Sequence, residues 1–91
     1  MELRFAHSAS RHGISAARAT HVIEHCSLPI YGAESGRFDD VVLFLGPDWR
    51  GVPLEVAAIE EPSGLMVVIH AMPLRRSLLD DYRRVNQWRE S

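Results

Sequence analysis

The apolar positions fall into a helical stripe, three strand-like runs and a second helical stripe. From Ala16 to Cys26, the residues Ala19, Val22, Ile23 and Cys26 recur at i, i+3, i+4 and i+7, the spacing of one buried helix face. Ser15 is placed to cap that helix, Gly13 breaks the chain before it, and Pro29 ends it. Arg18, His21 and His25 share another side. The runs Val41–Leu45, Val52–Ile59 and Leu65–Ala71 are separated by short breaks, Gly46–Gly51 and Glu60–Gly64, which predicts two consecutive antiparallel hairpins. In the middle run Leu54, Val56 and Ala58 share one face, and Glu55, Ala57 and Ile59 the other. Pro73 closes the third strand and opens a final helix, with Leu74, Leu78, Tyr82 and Val85 in one stripe that Trp88 extends. Arg76–Asp80 and Asp80–Arg84 are i, i+4 pairs on its polar side. Leu3–Ala6 fits a short strand or a helix start, and Ile30–Arg37 is polar and turn-rich. The expected fold class is α+β: an antiparallel sheet of three or four strands, with N-terminal helices and a C-terminal helix packed on one face.

Composition narrows the class without changing that picture. The 91 residues fit a single domain, 1–91, and a chain 46% hydrophobic and 24% charged belongs to a folded globular protein. No apolar run approaches the roughly 20 residues that cross a bilayer, and no apolar stretch follows the N-terminus as in a signal peptide. The expectation is therefore a cytoplasmic protein without membrane association. The lone cysteine, Cys26, agrees, since no internal disulfide can form. The ten cations are all arginine, a planar fork suited to phosphate or carboxylate. A net charge of −2 argues against indiscriminate binding to nucleic-acid backbones but leaves room for a local basic site.

The most pointed chemistry lies at His70, at the end of the third strand, followed closely by Arg75 and Arg76. An imidazole can move a proton near neutral pH, and a guanidinium can stabilise charge on a phosphorane, the parts for phosphodiester cleavage. On these residues alone the simpler reading is a half-buried histidine bonded to a carbonyl, beside arginines that solvate a helix start. His21 and His25, at i, i+4 with Cys26 adjacent, have two of the ligand types of a zinc site. Cys26 turns away into the apolar stripe, however, and no second ligand pair follows, so no metal is expected. Glu55, with Glu60 and Glu61, can supply a general base or simply point to solvent. Trp49 and Arg50 in the first hairpin loop can stack on an RNA base or shield a tight turn. There is no Gly-rich phosphate loop, no Ser-His-Asp signature and no nucleotide fingerprint.

Taken in order, these segments resemble the BrnT-type toxins. Arg11-His12-Gly13-Ile14-Ser15-Ala16-Ala17-Arg18-Ala19 is similar to that family's helix start. Asp40–Gly46 and Gly51–Val56 resemble its successive strands, and Val68-Ile69-His70-Ala71-Met72 with Tyr82 downstream resembles its close. The resemblance spans roughly Phe5 to Tyr82. It implies a RelE-like fold and a metal- and cofactor-independent endoribonuclease, the toxin of a bacterial toxin–antitoxin module that suppresses translation. It also implies a cognate antitoxin, often a ribbon-helix-helix DNA-binding protein, with operator DNA bound only through that partner. Under it His70 is general acid or base, Arg75 and Arg76 hold the scissile phosphate, Tyr82 and His12 line the site, and Arg50, Trp49 and Arg11 contact RNA. The chain departs from the family pattern at Met72, where the family has arginine, and at His70, where it has serine. The family's lysine-rich N-terminal helix and Trp-Asp-Pro opening are also missing. These departures leave a second expectation, a catalytically inactive interaction domain that binds a protein partner.

Overall fold

The computed structural model describes residues 2–32 and 41–90, with side chains to residue 87. Five strands form one mixed sheet: β1 (Leu3–Phe5), β2 (Ile30–Tyr31), β3 (Val41–Pro47), β4 (Pro53–Glu60) and β5 (Met66–Pro73), in the order β1-β5-β4-β3-β2. The three predicted runs are the three long strands, and β3–β4–β5 is the expected antiparallel meander. The sheet is not purely antiparallel, because Leu3–Phe5 is a strand and pairs parallel with β5, Leu3 opposite Met66. A strand arriving from a separate segment has no hairpin to force its direction. Ile30–Tyr31 is a short edge strand on β3. The rest of the expected turn-rich stretch beyond Gly32, together with Asp40 and the Trp88 side chain, lies outside the described residues.

Both hairpin turns are built alike. In each, an i→i+3 backbone bond (Gly51 N–H to Asp48 O, 3.0 Å; Gly64 N–H to Glu61 O, 2.8 Å) is followed by a glycine at positive φ. Gly51 at +84° and Gly64 at +92° occupy the left-handed position that a three-residue hairpin loop requires, where a Cβ is strained.

Helix α1 (Ala16–His25) starts as expected, with Ser15 Oγ accepting from Arg18 N–H at 3.2 Å. Its stripe buries Ala19, Val22 and Ile23 against Val42, Phe44, Leu54, Val56 and Ala58, with Cys26 packed at the margin. The final helix departs from expectation. Pro73 ends β5 instead of opening a helix, a 3-10 turn follows at Arg76–Leu78, and α2 runs from Leu79 to Glu90. Its predicted stripe is sound: Leu74, Leu78, Tyr82 and Val85 pack against Leu43, Leu45 and Ala57. Among the described residues Arg84 pairs with Asp81 at 3.4 Å, three residues apart, and not with the expected Asp80.

Helices α1 and α2 therefore cover opposite faces of the sheet, which corrects the one-face arrangement. This explains why Val41–Leu45 is apolar without alternation. Val42 and Phe44 face α1, Val41, Leu43 and Leu45 face α2, and a strand buried on both faces has no polar side. Buried Asn86 fastens α2 to the sheet, its Nδ2 donating to Leu45 O at 3.0 Å and Tyr82 O at 2.9 Å.

Candidate active site

Glu55 is the centre of the constellation, and it does not point to solvent. It is fully buried on β4, on the α2 face of the sheet, and both of its oxygens are engaged. Oε1 accepts from the Arg75 backbone N–H at 2.9 Å and from Arg75 Nε at 3.1 Å. Oε2 lies 3.0 Å from the same Nε, 2.7 Å from Arg75 Nη2 and 3.1 Å from His70 Nε2. A carboxylate on a sheet face can be buried only if its charge is matched and its lone pairs are filled, and one arginine and one histidine do both. Arg75 reaches it because β5 has ended: Leu74 N–H bonds Pro53 O, which lays the next residue's backbone beside the start of β4.

A β-bulge delivers His70. Val68 pairs with Ala58, but His70 pairs with Ala57, so Ile69 is the extra residue. Strict alternation would put His70 with Met66 and Val68 on the α1 face. The extra residue instead puts His70 opposite Ala57, one diagonal step from Glu55 on the same face. The bulge lies just past the end of β1, where Ser8 Oγ donates to the Ile69 carbonyl at 2.8 Å and Ala6 N–H to Val68 O at 2.8 Å. A 3-10 turn at His7–Ser10 follows β1, and the segment after it sets the exposed His12 edge-on to His70, with ring centroids 5.6 Å apart.

The electrostatics favour a neutral imidazole beside an ionised carboxylate. Burial would raise Glu55, but hydrogen bonds from the Arg75 side chain, its backbone and His70 outweigh that and hold the carboxyl below its ordinary value. Burial lowers His70 below its ordinary value, assisted by the positive charge of Arg75 and His12 and opposed by Glu55. A neutral ring bonded to a carboxylate carries its proton on Nε2. Nδ1 is then an unprotonated base, and among the described residues nothing hydrogen-bonds it. The Arg75 pairing with Glu55 raises that guanidinium. Its Nη2 is buried and makes an ion contact with Glu55 without a well-aligned hydrogen bond, while 40% of the side chain stays exposed.

Of the residues anticipated from sequence, His70, Arg75 and His12 come together here. Arg76 is exposed at the start of the 3-10 turn, and Tyr82 packs in the apolar cluster beneath α2. Arg11 is exposed next to His12. Trp49 and Arg50 are exposed on the β3–β4 turn. Glu60 pairs with Met66 at the opposite end of β4 and takes no part. Sequence reasoning left Glu55 among three interchangeable acids. The available signal was its position as the sole polar residue of Val52–Ile59, a run apolar on both faces.

Asp48 is a second buried carboxylate. Oδ1 accepts from Arg50 N–H (2.8 Å) and Val52 N–H (3.0 Å), and Oδ2 from Arg18 Nε (2.8 Å). Burial alone would raise its carboxyl, and these bonds bring it below its ordinary value. Among the described residues no group of three or more His, Cys, Asp or Glu is placed to hold a metal ion, and no helix is long and apolar enough to cross a membrane. Comparison with protein-family models, curated proteins and solved structures returns no match, so the chemistry of this site rests on its own geometry.

Proposed function

We propose that the chain is a metal-independent endoribonuclease, the cytoplasmic, translation-inhibiting toxin of a toxin–antitoxin module, with His70 at its catalytic centre. One observation carries this reading: His70 is oriented by a buried carboxylate, has no hydrogen-bond partner on Nδ1 among the described residues, and faces a second histidine with ring centroids 5.6 Å apart. RNA supplies its own nucleophile. His70 Nδ1 takes the 2′-OH proton, the 2′ oxygen bonds to phosphorus, and the P–O5′ bond breaks. Protonated His12 gives its proton to the leaving 5′ oxygen, which yields a 2′,3′-cyclic phosphate. Glu55 fixes the imidazole tautomer and balances the charge it gains, and the exposed part of Arg75, with Arg76, meets the phosphate. The sequence resemblance supports the same reading. So does the order of helix, antiparallel meander and final helix, within which a RelE-like arrangement is proposed.

Expression of the chain alone is expected to arrest growth, and His70→Ala to relieve the arrest. Purified protein is expected to cleave single-stranded RNA in EDTA. Normal growth on soluble expression, with intact RNA in vitro, defeats the proposal. A second reading is favoured by a specific observation: Arg75, which would replace the arginine missing at Met72, gives two of its guanidinium nitrogens to Glu55. In that reading the chain is an inactive domain that binds an antitoxin-type partner, and it predicts a stable complex without cleavage.

A further inference from the structure

The α1 side of the β3–β4 turn carries an aromatic and cationic surface that the catalytic proposal does not use. His21 and His25, one turn apart, stack with ring centroids 4.0 Å apart and planes 22° from parallel. The edge-on contact of His21 with Trp49, at 5.8 Å and 81°, joins the helix to the turn. Trp49 keeps 57% of its surface exposed, and the Arg50 side chain keeps 60%.

This surface is held in place from beneath. The carboxylate of Asp48, immediately before Trp49, accepts from the backbone N–H groups of Arg50 and Val52 in the turn and from the α1 side chain of Arg18. Arg18 is thereby neutralised and largely buried, which leaves Arg50 as the cation directed at water, 3.8 Å from Asp48 at its nearest. A large exposed indole on a turn fixed by four hydrogen bonds and ion contacts loses little freedom when a flat partner covers it. The chain's net charge of −2 gives no general attraction for polyanions, so an anion is drawn here by Arg50 locally. The turn also lies at the sheet end where β5 finishes. Pro47 pairs with Pro53, and Leu74 N–H bonds Pro53 O, two residues from Glu55.

From this placement we infer that Trp49, with His21 and Arg50, is a subsite for an unpaired nucleotide of the substrate strand that passes round this end of the sheet from the α2-face site: the base stacks on the indole and its phosphate meets Arg50. This rests on the endoribonuclease reading and adds to it that the substrate is single-stranded and is gripped outside the reacting centre. A base in a duplex has no free face to offer such a platform.

The test uses a single-stranded 2′-O-methyl oligoribonucleotide, whose blocked 2′ oxygen cannot act as nucleophile. Binding is followed by Trp49 fluorescence in the full chain carrying Trp88→Phe, and by anisotropy of a labelled oligonucleotide for the Trp49 variants. The inference expects quenching of Trp49, weaker binding of the matching duplex, and an affinity lowered about 5- to 100-fold by Trp49→Ala. Trp49→Phe, which keeps a stacking face, restores part of it and separates lost stacking from a disturbed turn. Unchanged affinity in Trp49→Ala overturns the inference, as does Trp49 fluorescence that responds to a protein partner and not to RNA. The two proposals fail separately. Trp49-dependent binding without cleavage of ordinary RNA removes the endoribonuclease and keeps the subsite, whereas cleavage with Trp49-independent binding does the reverse.

Discussion

Glu55 and Asp48 are both buried carboxylates at one end of the sheet, each paired with an arginine, yet they are built for different ends. The partners of Asp48 are two N–H groups of its own turn and a side chain from the helix resting on it. The two N–H bonds close the turn locally, the Arg18 bond ties that turn to a helix 30 residues away in sequence, and no proton-transfer group stands among them. Glu55 sits in mid-strand, where its neighbours' backbone groups are spent on the sheet, so its partners come from 15 and 20 residues away. One of them is a histidine with a nitrogen to spare. Burial of a carboxylate therefore does not by itself single out a candidate site; what sets Glu55 apart is its titratable partner.

The sharpest way to break this contrast is at His70. Its replacement by alanine is expected to lower RNA cleavage by about 10²- to 10⁴-fold, the range for a lost general acid–base. Replacing Arg18, the corresponding side-chain partner of Asp48, should leave the cleavage rate at saturating RNA unchanged. Equal losses from both substitutions would erase the distinction.

Glu55→Gln comes next. It keeps the shape but strands Arg75, and should cost about 3 kcal/mol in urea unfolding, the low end for a broken buried pair because Arg75 can turn toward water. Asp48→Asn should cost less in the same titration, since an amide oxygen still accepts from Arg50 and Val52 N–H.

Acid separates the two sites by pH. His70 lies below its ordinary 6.5, so its contribution is full above pH 6.5 and is lost as pH falls through its lowered folded value. Glu55, lowered from 4.5, and Asp48, lowered from 3.8, contribute above those values and lose their contributions only at lower pH. Stability should thus begin to fall below pH 6.5, and His70→Gln should abolish that first stage and leave the lower ones. A first stage that survives His70→Gln assigns it elsewhere. The smallest effect is expected from Arg84→Ala. Its exposed pair with Asp81 is worth about 0.2–1 kcal/mol, and a larger loss would show that surface pairs rival the buried ones.

Much of this molecule was legible in its residues. The stripe of Ala19, Val22 and Ile23, the Ser15 cap and the two glycine-closed hairpins follow from local periodicity and backbone preference, which need no distant partner. So does the stripe of Leu74, Leu78, Tyr82 and Val85. The direction of β1 and the placing of the helices on opposite faces were not legible, because both depend on which surfaces meet after collapse.

The candidate site divides along the same line. The sequence by itself set His70 near Arg75, since chain proximity and residue chemistry are written in it, and the family resemblance added His12 as a companion. That Glu55 joins them was decided by the tertiary structure. An extra residue in β5, Ile69, moves His70 to the α2 face, and the end of β5 brings Arg75 back to the start of β4. A strand's side-chain period is two, so a single unpaired residue reverses every face beyond it, and only the pairing with β4 fixes where that residue falls.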